Sequence, residues 1–246
     1  MIVKVSNEGS LRGSENMRRD LELVDRVRNG GVDLPLRFYQ WDPWCVSLGT
    51  NQQSQSIDAE ACASQGIDIV TRPTGGRAVL HACEVTYAFA VRIPTGRSAM
   101  DVYRAFHQRL HHALALLAPE LSISTDAPPL YQHYAASGAL GQVCFSAHAP
   151  SELLWNDRKV VGSAQRVIDG IVLQHGSILC GPGHEDLGYI LRAERAMQDR
   201  VVAATRASSA TLSDVAHAEI LPQDVATHLH STLTTDVLIE MMRAVR

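Results

Sequence analysis

Residues Glu152 to Leu179 read ELLWNDRKVVGSAQRVIDGIVLQHGSIL. Apolar pieces of strand length are separated here by two turn signals, Asn156-Asp157 and Asp169-Gly170. Asp-Gly between β-branched runs is a strong hairpin signal, because tight two-residue turns need residues that tolerate positive φ. Leu153-Leu154-Trp155 is therefore expected to fold back on Lys159-Val160-Val161, and Arg166-Val167-Ile168 on Ile171-Val172-Leu173, with Ser177-Ile178-Leu179 continuing the pattern. Hairpins require antiparallel pairing, which excludes a purely parallel, doubly wound sheet. With helical stretches on either side, the fold class is α/β in the α+β sense: a mixed, largely antiparallel sheet flanked by helices.

Upstream lies a second informative stretch, Arg72 to Val91, RPTGGRAVLHACEVTYAFAV. It opens with a turn, Pro73-Thr74-Gly75-Gly76, bracketed by Arg72 and Arg77, and runs on in strand-length apolar pieces. Adjacent glycines permit positive φ and close approach of backbone amides to a ligand. With two flanking guanidinium groups this is either a carbonyl or phosphate site or a tight hairpin with solvated arginines. Further upstream, Ser14 to Gly30 reads as a helix capped by Ser14, with Met17, Leu21, Val24 and Val27 on one apolar face. Leu36 to Tyr39 and Cys45 to Gly49 read as strands, Ile57 to Gln65 as a short helix capped by Ser56, and Ile67 to Val70 as a buried strand. The most periodic helix spans about Ala99 to Leu117, with Val102, Phe106, Leu110, Leu114 and Leu117 as its stripe. His107 and His111 have metal-ligand spacing, but no acidic third ligand is near, so they are assigned to the helix surface. Asp126 to Gln142 is a long Pro- and Gly-containing link that delivers Val143-Cys144-Phe145-Ser146. After Pro182-Gly183 the chain turns helical, with two helices expected from about Leu212 to the end.

The chain has 246 residues, 46% hydrophobic and 20% charged, with a formal charge of −4. That composition suits a soluble globular protein and predicts no general affinity for nucleic acid. No run is long enough to span a bilayer and no signal-peptide core follows Met1, so a cytoplasmic protein with no membrane partner is expected. One domain is expected, with a core over about 30–190 and a helical segment over about 191–246. Five scattered cysteines, Cys45, Cys62, Cys83, Cys144 and Cys180, form no CxxC pair, which argues against both a zinc knuckle and a disulfide framework. Buried apolar thiols are the ordinary fate of such residues.

Read together, RPTGGRAVLH (Arg72 to His81), VCFSAHAP (Val143 to Pro150), RKVVGSAQ and LQHGSIL resemble the biotin/lipoate protein ligase superfamily. Within it they look most like the octanoyl-carrier-protein:protein octanoyltransferases of the lipoate ligase-like type. GSENMRRDLEL and LRFYQWDPWCVSLG extend the likeness over most of residues 10 to 190. The resemblance implies the catalytic-domain fold of that superfamily. It implies that Cys144 is the acyl-accepting nucleophile and that Lys159 reaches the acyl carbonyl, where an ammonium stabilises a developing oxyanion. It places Arg72, Thr74, Gly75, Gly76, Arg77, His81, Gly162, Ser163, Ala164 and His175 around the acyl group, with the two histidines in shaping roles. Val79, Val161 and Leu173 are expected along the acyl tunnel. The implied donor is octanoyl-acyl carrier protein. The implied acceptor is a lysine of a lipoyl-domain protein, such as the glycine cleavage H protein or a 2-oxoacid dehydrogenase E2. Thioester-to-amide transfer is downhill, so no cofactor is expected.

Three other readings fit the same motifs. An ATP-dependent lipoate–protein ligase would need nucleotide and magnesium, and no cysteine. Its turn tends to carry a third glycine where this chain has Arg77. An amidotransferase that moves octanoyl between lipoyl-domain proteins would also use a cysteine. Ala82 stands where the family usually has aspartate, and motivates a non-catalytic member that binds lipoyl or carrier proteins.

Overall fold

The computed structural model describes residues 1–124 and 151–245. The strands are β1 (Val3–Leu11), β2 (Leu34–Trp41), β3 (Cys45–Leu48), β4 (Asp68–Thr71), β5 (Val79–His81), β6 (Glu84–Arg92), β7 (Ser122–Ile123), β8 (Leu153–Trp155), β9 (Arg158–Ile168) and β10 (Ile171–Leu179). The helices are α1 (Gly13–Arg28), α2 (Ala59–Ser64), α3 (Ala99–Leu114), α4 (Arg195–Ser208), α5 (Leu212–Ala216), α6 (Pro222–Thr232) and α7 (Thr235–Val245), with a 3-10 turn over His184–Ile190.

The large sheet has seven strands in the order β1-β2-β6-β10-β9-β8-β7. Only β1 and β2 run parallel; each of the other neighbours is antiparallel. The two turns expected from sequence connect β8 to β9 and β9 to β10. Asn156, Asp157, Asp169 and Gly170 all have positive φ, as two-residue hairpins with the strand twist require. A smaller sheet, in the order β4-β3-β5, pairs β3 parallel to β4 and antiparallel to β5.

Alternation along the central strands gives the large sheet two apolar faces. Leu36, Phe38, Tyr87, Phe89 and Val172 pack under Val102, Phe106 and Leu110 of α3 and the apolar sides of α6 and α7. Tyr39, Trp41, Ala88, Ala90 and Leu173 point the other way, toward Met17, Val24 and Val27 of α1. The small sheet has its own core, in which Val46, Leu48 and Leu80 meet Leu187, Ile190 and Val201.

Several local expectations need correction. β1 was not anticipated: it is an edge strand with alternating, half-exposed side chains, so it carries no apolar run. The cap of α1 is Arg12, not Ser14, and Leu21 is 45% exposed. Its place on the buried face is taken by Leu23 and by the polar residues Asn16 and Asp20. Asp58, not Ser56, caps α2, its carboxylate accepting from the amides of Glu60 and Ala61. β4 is half-buried rather than buried. Three helices, not two, follow Leu212. His107 is not on the surface; its side chain is wholly buried. Cys144, His148 and the link from Asp126 to Gln142 lie outside the described residues.

Candidate acyl site

A small cavity lies between the α1 face of the large sheet and the small sheet. It collects residues that the sequence reading had grouped: Arg72, His81, Gly162, Ser163, Ala164 and His175 all line it. Met17, Trp41 and Val79 supply much of its apolar surface.

His175 on β10 anchors one wall. Its Nδ1 lies 3.0 Å from Asp20 Oδ2 and its Nε2 lies 2.5 Å from Thr74 Oγ1. A carboxylate only accepts, so Nδ1 carries the proton and Nε2 accepts from the Thr74 hydroxyl. Asp20 is buried and receives two more donors, Tyr39 OH at 3.0 Å and Arg37 Nη1 at 2.7 Å. Burial pushes the His175 pKa below its ordinary value, against the opposing pull of Asp20, so the ring is neutral near pH 7. Hydroxyl, imidazole and carboxylate in series form the arrangement that activates nucleophiles elsewhere. Here Thr74 is itself fully buried. The chain fastens the glycine turn to β10.

A second series of the same type joins the small sheet to the start of β6. His81 Nδ1 donates to Glu84 Oε1 at 2.7 Å, and its Nε2 lies 2.7 Å from Ser47 Oγ. Thr86 Oγ1 donates to the same Glu84 oxygen at 2.6 Å and accepts from Trp41 Nε1 at 2.8 Å. The Trp41 ring stacks on His81, with centroids 4.0 Å apart. Apart from Glu84 Oε2, which is buried without a hydrogen-bond partner among the described residues, the polar groups of these walls bond one another and leave mainly apolar surface toward the cavity.

Arg72 is part of the frame. Its guanidinium donates to the carbonyl oxygens of Ser47 (2.8 Å), Gly75 (2.8 Å) and Arg77 (2.7 Å). It ties the glycine turn to the small sheet. Gly76 has φ +94°, and its carbonyl comes so near Gly49 that a Cβ there would sit 2.1 Å from the oxygen. Thr74, Gly75, Gly76 and Arg77 stand beside the cavity through these bonds and are not among its lining residues.

The third wall is β9. Gly162 and Ala164 face Ser177 and His175 across the β9–β10 pairing. Gly176 leaves room for Ser163: a Cβ on it would meet Ser163 Oγ at 2.4 Å. Lys159, earlier on the same strand, is buried, with Nζ 2.8 Å from Glu152 Oε1. The structure does not place it among the residues lining the cavity. Val161 and Leu173, expected along the tunnel, are instead packed in the α3-side and α1-side cores.

Sequence reasoning missed Asp20, Ser47, Glu84 and His107. One signal was available: Asp20 falls between Met17 and Val24 at helical spacing, a carboxylate inside an apolar stripe. Cys45, Cys62 and Cys180 are buried as expected, and Cys83 is half-buried. No helix among the described residues is long and apolar enough to cross a membrane.

The model of the lipoyl protein ligase A/B catalytic domain matches residues 12–234. Octanoyltransferase LipM of Clostridioides difficile is 35% identical over 205 residues, covering 79% of this chain and 74% of its own. Octanoyltransferase LipM of Symbiobacterium thermophilum is 34% identical over 217 residues, 86% of this chain and 77% of its own. Among solved structures, lipoate-protein ligase A bound with ATP superposes with a TM-score of 0.67 at 16% identity, covering 99% of this chain and 94% of that one. The bipartite lipoate protein ligase of Thermoplasma acidophilum gives 0.67 at 17% identity, covering 97% and 84%. At those identities the structural likeness speaks for the fold alone. The family model spans most of the chain, and the chain belongs to the lipoyl protein ligase A/B catalytic-domain family.

Proposed function

We propose that this chain is an acyltransferase of lipoate assembly that moves an octanoyl group from octanoyl-acyl carrier protein to a lysine of a lipoyl-domain protein, through a thioester on Cys144. The transferase reading over the ligase reading rests on the relatives of 34–35% identity, which are octanoyltransferases. The observation that carries the substrate class is the cavity, whose polar side chains are bonded to one another and whose open surface is apolar. Such a slot accepts a hydrocarbon tail and offers little to a charged one. At about 0.8 kcal/mol per methylene, burying the seven carbons beyond the octanoyl carbonyl contributes roughly 5 kcal/mol.

The chemistry is acyl transfer in two steps. The Cys144 thiolate attacks the donor thioester and the carrier thiol leaves. The acceptor amine then attacks the acyl-enzyme, and the amide forms without nucleotide or metal. Lys159, on the strand that brings Gly162, Ser163 and Ala164 to the cavity, supplies the cation for the tetrahedral state, with Glu152 setting its position. The acceptor is of the type of the glycine cleavage H protein or a 2-oxoacid dehydrogenase E2.

Intact-mass analysis after incubation with octanoyl-acyl carrier protein tests the proposal. The expected result is a single octanoyl adduct, labile to hydroxylamine, mapping to Cys144 and lost in Cys144→Ser. No adduct, together with ATP-dependent adenylate formation from lipoate, would make the chain a ligase instead. Neither activity would leave it as a binding protein.

A further inference from the structure

Two of the residues that line the cavity, Ser47 and His81, make up a hydroxyl–imidazole pair. Across β3 and β5, Cys45 pairs with His81 and Ser47 with Val79. These side chains therefore share one face of the small sheet, opposite to Val46, Leu48 and Leu80 in its own core. Ser47 Oγ is 2.7 Å from His81 Nε2, and His81 Nδ1 is 2.7 Å from Glu84 Oε1. A carboxylate only accepts, so Nδ1 carries a proton. Ser177 Oγ lies farther from the same nitrogen, at 3.3 Å. Thr74, the hydroxyl of the His175 series, does not line the cavity, whereas Ser47 does.

Arg72 Nη1 donates to Ser47 Oγ at 3.2 Å. A guanidinium has only donors, so this bond takes up one lone pair of Oγ and leaves the hydroxyl proton for Nε2 of the neutral ring. The second lone pair remains for an electrophile. Glu84 is 1% exposed. Its Oε1 also accepts from Thr86 Oγ1 at 2.6 Å, and its Oε2 has no hydrogen-bond partner among the described residues. A buried carboxylate so thinly compensated gains most when its neighbour becomes cationic, and proton transfer to His81 makes it so. Hydroxyl, base and orienting carboxylate are each within hydrogen-bond reach of the next. Arg72, which also lines the cavity, puts positive charge beside the hydroxyl.

We propose that Ser47 is a nucleophile with His81 as its general base and Glu84 as a positioning residue, and that this cavity hydrolyses small uncharged esters with short hydrocarbon acyl groups. Ser47 Oγ bonds to the acyl carbon while its proton passes to His81 Nε2. The oxyanion of the tetrahedral state forms beside the Arg72 guanidinium. The ester carbon–oxygen bond then breaks, its electron pair leaves on the alcohol oxygen, and His81 returns the proton there. Water adds to the acyl-serine in the same way. Its proton goes to Nε2, the bond from the acyl carbon to Oγ breaks, and Oγ takes the proton back. The products are a carboxylic acid and an alcohol, with water the one co-reactant. Cys144 takes no part in these steps, and the activity is separate from the octanoyl transfer proposed above.

A small alkyl fluorophosphonate tests the nucleophile in the wild-type chain. Attack of Oγ on phosphorus expels fluoride, and the expected result is one phosphonyl adduct that peptide mass mapping places on Ser47. Release of p-nitrophenolate from p-nitrophenyl butyrate tests turnover. Ser47→Ala and His81→Phe are each expected to lower kcat about 100-fold or more. Glu84→Gln is expected to lower kcat at least about tenfold while KM stays within about twofold of wild type. A wall that had merely loosened would raise KM as well. An adduct absent from Ser47, or hydrolysis unchanged in Ser47→Ala, overturns the assignment. Should the variants not fold, the fluorophosphonate map of the wild type decides alone. Loss of octanoyl transfer without loss of the Ser47 adduct would count against the transferase reading and leave this one standing.

Discussion

Replacing Asp20 by asparagine keeps the shape of the side chain and removes its charge. Three donors converge on this carboxylate: Arg37 Nη1 at 2.7 Å on Oδ1, and Tyr39 OH and His175 Nδ1, both at 3.0 Å, on Oδ2. An amide has one accepting oxygen and one donating nitrogen, so at least one donor would face another donor. With the oxygen kept on Arg37, the nitrogen meets Tyr39 and His175. The imidazole then relaxes by moving its proton to Nε2 and donating to Thr74, which reverses the series that holds the glycine turn. Arg37 is 1% exposed and keeps Glu8, whose Oε2 is 3.0 Å from its Nε. The loss therefore belongs at the low end for a broken buried pair, about 3 kcal/mol. For a chain of this size that lowers Tm by roughly 6–12 °C. Urea denaturation at pH 7 gives the energy, and nitrogen-15 chemical shifts of His175 report the tautomer. A variant within about 1 kcal/mol of wild type, with His175 still protonated at Nδ1, would refute this account of the wall.

Two further outcomes are expected. Gly49→Ala places a Cβ against the Gly76 carbonyl oxygen, so the turn must move; a loss of about 1–3 kcal/mol in urea denaturation is expected, and an unchanged midpoint would show that the contact yields freely. The His107 pKa is depressed on folding from 6.5 to about 4, so its contribution to stability is full above pH 6.5 and is lost as pH falls toward 4. That contribution is about 3 kcal/mol. Denaturation at pH 7 and at pH 4.5 should show His107→Gln losing less stability on acidification than wild type, and parallel losses would contradict the burial argument.

The outline of the sheet was legible because its signals are local. Asp169-Gly170 dictates a hairpin through backbone conformation alone, and the stripe of Val102, Phe106 and Leu110 dictates a buried helix face. β1 was not legible, since an edge strand buries too little to impose an apolar pattern. The candidate site was half legible. Motif order grouped Arg72, His81, Gly162 to Ala164 and His175, and the fold brings them to one cavity. Their partners were hidden, because Asp20 meets His175 across 155 residues, and no periodicity reports such a meeting. His107 was misassigned for a related reason. A histidine beside an apolar stripe reads as solvated unless its buried acceptors and donors are known, and these come from Tyr87, Ser151 and Ser163 on other elements.

The cavity whose hydrogen bonds close on themselves has a further consequence, for its hydration. Water entering such a space finds few free partners and gives up bonds it had in bulk. The empty slot is therefore poorly wetted, and a ligand entering it displaces little well-bound water. On the proposed function, binding of an octanoyl tail would draw on dispersion contacts with a preformed wall rather than on release of ordered solvent. Calorimetry with octanoate should accordingly show a favourable enthalpy at 25 °C together with a negative heat-capacity change.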